Sequence, residues 1–244
     1  MDKKNKAPGE LIYGIHPLIE VLKAKRRKVI SIYTTRPVPK AWSKIEKLFP
    51  ERAIPIQYVS RDVLTNMAKT GDHQGVVAWV QHFPFRSKPF DPQKQKFLVL
   101  LDGIQDPRNV GAILRSAFCT GAEGVVLVEK FAAPLNAVAL KASAGLAEHL
   151  EIMVVQSTPV AAQALKSAGY HLYLAAFGGQ NALEVSYQAP LCLVIGSEGE
   201  GIMPSVLKMG TQVTLPQKTA DISYNASVAA GILLFLIGTK QKII

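Results

Sequence analysis

The chain has 244 residues, 28 of them Lys or Arg and 18 Asp or Glu, giving a formal charge of +10 with 48% hydrophobic residues. That balance supports a folded core and excludes an intrinsically disordered chain. The positive excess lies entirely in the first part: up to Lys96 there are 19 basic and 8 acidic residues, and beyond it 9 and 10. A basic N-terminal portion suited to a polyanion therefore precedes a neutral remainder, and the length allows one or two domains.

The longest apolar run, Val228 to Ile237, is too short to span a bilayer, so no membrane partner is expected. The opening MDKKNKAPGE has no apolar signal core. Cys119 and Cys192 sit in apolar segments and read as small buried residues rather than a disulfide. These features favour a cytoplasmic protein. No Cys and His spacing suggests a metal site and no internal repeat is visible.

Residues 1–10 read as a disordered tail. Across 11–82 the pattern mixes helix and strand: IHPLIEVLKAKRR places Ile15, Leu18, Ile19 and Leu22 at helical spacing, while VISIYTT and GVVAWV are strand-like. This is a small α/β domain. Residues 83–96, FPFRSKPFDPQKQK, hold three prolines and five charges and read as an extended linker. From 97 to 244, apolar strands (FLVLLDG, GVVLVE, HLYLAAF, CLVIG, QVTLP) alternate with helices, the pattern of a parallel sheet covered on both faces. Ligands bind such sheets at the C-terminal strand ends.

Three strand-end loops stand out. In DGIQDPRNVGAILRSAFCTG, Asp106 and Pro107 form an N-cap and N1 pair and Gly121 suits the C′ position, so a helix should run from about Pro107 to Thr120. Asn109 falls in its first turn. Arg115 has no acidic neighbour three or four positions away; its guanidinium either reaches the surface or a distant carboxylate, or holds a phosphate or ribose. The second loop, Gly196 to Gly201, combines three glycines with Glu198 and Glu200. It is either a tight strand-to-helix turn or a cradle for a neutral or cationic ligand, because two carboxylates repel phosphate. In the third, QKTADISYNASVAAGILLFLI, Ser223 is positioned to cap the last helix, with Tyr224, Asn225 and Ser227 in its first turn.

Together, DPRNVGAILRSA, IGSEGEGI and LPQKTADISYNASVAAGILL resemble, in order and spacing, the three motifs of the SpoU or TrmH-like RNA ribose 2′-O-methyltransferases of the SPOUT class. LIYGIHPLIEVLK and HQGVVAWV resemble the L30e-like substrate-binding domain of the enzymes that methylate guanosine 2′-hydroxyls in bacterial 23S rRNA, and LNAVALKASAGLAEH resembles the segment between the motifs. The resemblance implies a C-terminal α/β domain whose parallel sheet is tied in a trefoil knot, behind the small N-terminal L30e-like domain. It also implies a homodimer with a shared active site, S-adenosyl-L-methionine as cofactor, and RNA as partner, in 23S rRNA or a ribosome-assembly intermediate. The cofactor loops would be Ala176 to Gly179, Gly196 to Gly201 and Leu215 to Tyr224, with Phe177, Gly178, Gly196, Leu215 and Tyr224 at the cofactor. Asn109, Arg115, Glu198, Ser223 and Asn225 would be the catalytic set. Related enzymes act on tRNA or other rRNA sites, and a binding-only assembly factor is the alternative of another class.

The chain departs from the family pattern at Gln217-Lys218-Thr219-Ala220-Asp221, at Tyr224, and at LLFLIG, where an acidic residue is usual. On this reading Lys23, Lys25, Arg26, Arg27 and Lys28 form either an RNA-phosphate surface or a solvated helix end.

Overall fold

The structure, a computed structural model, describes residues 9–219 and 222–244. In chain order its elements are β1 (Glu10–Tyr13), α1 (Ile15–Ala24), β2 (Val29–Thr34), α2 (Trp42–Glu46), β3 (Ile56–Tyr58), α3 (Arg61–Ala68) and β4 (Val76–Val80). They continue with β5 (Phe97–Asp102), α4 (Pro107–Cys119), β6 (Gly124–Val128), α5 (Ala137–Ala142), a 3-10 turn (Leu146–His149), β7 (Glu151–Val155) and α6 (Thr158–Ser167). The last are β8 (His171–Asn181), β9 (Leu191–Gly196), α7 (Pro204–Leu207), β10 (Thr211–Thr214) and α8 (Ala226–Lys240). The chain divides into two compact units. The first contains the described residues up to Pro84 together with Leu135–His149, and the second contains Phe85–Pro134 and Leu150–Ile244.

The first unit is built on a four-stranded sheet in the order β1-β4-β2-β3, with only the β2–β3 pair parallel. Helix α1 buries Leu18, Ile19, Val21 and Leu22, following the predicted apolar spacing, and ends where Lys25 turns left-handed. Tyr13, Leu64 and Val77 form a cluster on which Ala137 of α5 also packs. Residues 135–149 thus pack with the N-terminal sheet although 50 or more positions separate them from β4 in sequence. Gly145 makes this approach possible: its φ is +83°, and a Cβ there would lie 2.8 Å from the Pro17 Cα.

A buried ion pair fastens the same segment. Arg27 donates to both carboxylate oxygens of Glu148, at 3.0 and 2.5 Å, and to Glu10 at 2.8 Å and the Gln81 carbonyl at 3.0 Å. The Arg27 and Glu148 side chains are 1% and 2% exposed. Burial pushes the Glu148 carboxyl up, against the opposing pull of Arg27. Beside it, Glu20 lies 2.8 Å from both Lys23 and His149. Burial tends to raise the Glu20 pKa, and the bonds from Lys23 and His149 outweigh it, leaving the carboxyl below its usual value. The basic run therefore splits: Lys23, Lys25 and Lys28 are exposed, while Arg27 is committed to the interior and cannot meet RNA phosphate.

The second unit carries a six-stranded sheet, parallel throughout, in the order β10-β8-β9-β5-β6-β7. Every residue of β5 is buried, as its unbroken apolar run requires of a strand covered on both faces. Residues 85–96, read from sequence as linker, lie against this unit. The Arg86 amide donates to the Ile152 carbonyl at 2.7 Å, Phe90 is buried, and the Tyr170 hydroxyl donates to the Gln95 carbonyl at 2.7 Å. The predicted burial of Cys192 holds; Cys119 instead emerges at the exposed end of α4. Of the tail expected at 1–10, residues 1–8 lie outside the described residues, and the expectation is corrected at its end, where Glu10 begins β1 and accepts from Arg27.

Replacing Arg27 by Met should destabilise the protein by about 3–5 kcal/mol, because it leaves the Glu148 carboxylate buried without its partner. Urea unfolding measures this, with Lys28→Met as the exposed control expected to change stability by less than about 0.5 kcal/mol.

Candidate active site

The sheet order places β6 and β9 on either side of β5, so the winding reverses there and opens a crevice at the C-terminal strand ends. Four loops converge on this edge, following β5, β8, β9 and β10. A cavity of about 400 Å³ lies among the last three, lined by Ala175–Phe177, Ile195–Ile202, Gln212–Leu215, Ser223, Tyr224 and the inner face of α8. It contains Glu198 and Glu200 and no lysine or arginine among the described lining residues.

Each loop has a local cause. After β9 the chain closes a tight bridge in which Ser197 and Gly201 exchange two backbone hydrogen bonds of 3.1 Å. Gly196 lies under this bridge; a Cβ would sit 2.2 Å from the Gly201 carbonyl carbon, so no other residue fits. In β8 the pairing with β10 breaks between Leu174 and Gln180, and the looped-out residues form the cavity wall. Thr214 holds that loop, accepting from the Gly179 amide at 2.7 Å and donating to the Ala176 carbonyl at 2.6 Å. Gln217 braces the third loop by donating to the Thr219 carbonyl and, at 3.0 Å, to the Ile222 carbonyl.

Asp102 and Thr214 were not legible as site residues. Asp102, only 5% exposed, ends β5 and accepts from the Thr158 hydroxyl at 2.5 Å and the Met203 amide at 2.9 Å. It thereby ties the loop that leaves the glycine bridge to the start of α6. Its one signal in the sequence is a lone carboxylate closing the apolar run FLVLL. Thr214 carried no signal beyond its place at a strand end.

Four of the five cofactor residues expected from the resemblance, Phe177, Gly196, Leu215 and Tyr224, line the cavity. Gly178 does not, but lies in the same loop with φ +72°. Of the expected catalytic set, Glu198 and Ser223 line it. Asn109 donates its amide to Glu198 at 2.5 Å, joining the start of α4 to the glycine loop. Asn225 is the N-cap of α8, accepting from the Ser227 amide at 2.9 Å and the Val228 amide at 3.4 Å. That corrects the expectation that Ser223 caps this helix: α8 starts at Ala226, three residues later, and Ser223 is left exposed at the cavity. Arg115 is not in the cavity. It projects from the exposed side of α4 and, among the described residues, has no hydrogen-bond or ion-pair partner. Ala220 and Asp221, part of the third expected loop, lie outside the described residues.

The donor set suits a cationic or neutral ligand. Backbone groups at Gly196 and its neighbours can approach closely, apolar side chains flank them, and the two carboxylates disfavour phosphate. A neutral or cationic ligand that carries hydroxyls matches this lining.

The SpoU rRNA Methylase family matches residues 96–235, and a domain described as RNA 2′-O ribose methyltransferase substrate binding matches residues 11–85. A Bacillus subtilis protein that carries the name "Putative TrmH family tRNA/rRNA methyltransferase YacO" is 32% identical over 241 residues, 96% of each chain. The 23S rRNA (guanosine-2′-O-)-methyltransferase RlmB of Haemophilus influenzae is 30% identical over 247 residues, 96% of this chain and 98% of that one. In fold, the chain is similar to an AdoMet-bound rRNA methyltransferase from Sinorhizobium meliloti, with TM-score 0.79 at 21% identity over 97% of this chain and 88% of that one. It is also similar to an RNA 2′-O ribose methyltransferase, with TM-score 0.82 at 22% identity over 96% and 89%.

Thr214→Val keeps the side-chain shape while removing both bonds to the β8 loop. Hydrogen exchange should then quicken at the Gly179 amide, with a stability loss of about 1–3 kcal/mol; unchanged exchange would mean that Thr214 does not hold the loop.

Proposed function

The chain belongs to the SpoU rRNA methylase family, and from that premise we propose that it methylates the ribose 2′-hydroxyl of a guanosine in 23S rRNA, with S-adenosyl-L-methionine as methyl donor. The observation that carries the cofactor assignment is the cavity at the strand ends: glycine-bridged, apolar at its flanks, and bearing carboxylates with no lysine or arginine among its described lining residues. A sulfonium ligand without phosphate fits that lining. Bound there, it supplies an activated methyl group. The RlmB relative supports 23S rRNA as target, and the tRNA/rRNA name of the Bacillus relative supports a second reading, in which the same chemistry acts on tRNA or another rRNA site.

In this reading the backbone of the β8, β9 and β10 loops would hold the cofactor, with Phe177 and Leu215 supplying apolar surface beside it. Glu198, oriented by Asn109, sets negative charge at the glycine loop. Asn225 fixes the start of α8, and Ser223 is free to orient the incoming ribose. Arg115 holds the phosphate next to that ribose and stabilises the alkoxide that develops on its 2′-oxygen. A guanidinium, with a pKa above about 12, is a poor base, so water or a phosphate oxygen takes the proton. The Asn109–Glu198 bond, which joins two of the motifs, favours a working enzyme over a binding-only assembly factor.

Arg115 lies outside the cavity of its own chain, which accords with a site shared across a homodimer. Helix α8 exposes Val228, Ile232 and Phe235 at 49%, 41% and 61%, spaced along one face, and it packs beside α4. A second copy of this face is the proposed cover. The knotted threading of the C-terminal segment and a cytoplasmic location belong to the same proposal; no described helix is long and apolar enough to cross a membrane.

Calorimetry with S-adenosyl-L-methionine tests the cofactor, and no detectable binding at millimolar concentration would sink the reading. Arg115→Ala should keep the fold and cofactor binding while losing at least about 100-fold in methyl transfer. Phe235→Asp should convert a dimer to a monomer in light scattering. Mapping ribose methylation in rRNA from cells with and without the protein separates 23S rRNA from the tRNA reading.

A further inference from the structure

The substrate-binding unit carries a side-chain pair that the proposed chemistry does not use. Arg36, two residues past β2, lies with its guanidinium carbon 4.0 Å from the centroid of the Tyr58 ring at the end of β3. The strands are parallel and Thr34 is paired with Tyr58, so both side chains leave the same end of the sheet. Strand β3 is the sheet edge, and Tyr58 is 46% exposed. Among the described residues, Arg36 has no carboxylate or hydrogen-bond partner, and Tyr58 meets no hydrogen-bond partner through its hydroxyl. The guanidinium is thus positioned by the ring alone, with its donors unspent.

The surroundings are basic. Residues 35–61 contain Arg36, Lys40, Lys44, Lys47, Arg52 and Arg61, all exposed, against two acidic residues, Glu46 and Glu51. Glu46 is engaged by the Trp42 indole at 2.6 Å. An ordinary surface cation–π pair contributes little to stability and would not require an aromatic ring on an edge strand within a cationic surface.

We propose that Arg36 and Tyr58 form a stacking site for one unpaired RNA nucleotide, the base lying on the outer face of the guanidinium that the ring holds in place and its phosphate taken by the free guanidinium donors. The proposal rests on the reading that this unit binds RNA. Single-stranded RNA is recognised through unstacked bases set on aromatic rings or guanidinium groups, whereas a duplex hides those faces. The site selects for a splayed base whatever its identity. It therefore contributes the preference for loops and bulges that phosphate contacts from the lysines cannot give.

The test is fluorescence titration of the full-length protein with a single-stranded RNA octamer bearing a central 2-aminopurine, and with the same strand in a duplex. The expected result is quenching on the single strand only. Tyr58→Ala should abolish the quench and weaken affinity about tenfold, whereas Tyr58→Phe should retain both. Arg36→Ala should lose the quench in part and lower the salt dependence of binding, while Lys44→Ala should weaken affinity slightly and leave the quench intact. No quench with the wild-type protein, equal quench with duplex, or an unchanged quench in Tyr58→Ala would each overturn the stacking site. Methyl transfer to total rRNA by the same preparations separates the two readings: transfer without a Tyr58-dependent quench removes only the stack, and absence of both transfer and cofactor binding removes the enzyme.

Discussion

All six strands of the second unit run in one direction, and that single constraint sets where chemistry can occur. Parallel strands send every C-terminal end to the same edge, so residues far apart in sequence arrive together there. The segment between Asp102 and Asn109, the glycine bridge at 196–201 and the loop after Thr214 meet at this edge. The sheet core then has to hold the edge rigid. Asp102 does part of this at the end of β5, because a buried carboxylate satisfied by Thr158 and the Met203 amide fixes two neighbouring loops at once. A charge in that position is tolerable only because its acceptor capacity is used.

The first unit uses charge differently. Arg27 and Glu148 come from segments 121 positions apart and are almost wholly withdrawn from water. Such a pair gains little net stability over an apolar pair, yet leaving either partner alone is costly. It therefore selects one docking arrangement for residues 135–149 more than it strengthens the fold. Gly145 acts alongside by removing the Cβ that would keep this segment off α1. Ion pair and glycine together explain how a stretch lying between two strands of the second unit in sequence can pack as part of the first.

Much of this was legible because it rests on local rules. The Asp106 cap, Pro107 at N1 and Gly121 after α4 appear where side-chain capping and backbone freedom require them. The alternating apolar strands imply the parallel sheet, and of the loop residues named by the resemblance, Phe177, Gly196, Leu215 and Tyr224 line the cavity. What escaped depends on partners distant in sequence. Nothing near Thr214 indicates that its hydroxyl will bridge Gly179 and Ala176, and the acidic partner of Arg27 lies beyond any periodicity. Local rules do not separate Ser223 from Asn225 as the cap of α8, because both residue types can cap and the interval between them is less than one turn.

Three arginines show why composition alone could not assign the positive charge. Arg27, Arg36 and Arg115 carry the same guanidinium, and composition counts them alike, although Arg27 follows α1, Arg36 follows β2 and Arg115 lies within α4. Arg27 is enclosed and its donors are taken by Glu10, Glu148 and Gln81, so it has nothing left to offer a ligand. Arg36 is held at one ring face and Arg115 projects from α4 with no described partner, so both retain donors for phosphate. Binding capacity thus follows from unspent donors at an exposed site and not from charge. The cationic excess of the first 96 residues favours a polyanion in general, whereas under the proposed readings a few guanidinium groups with unspent donors would contact particular parts of it.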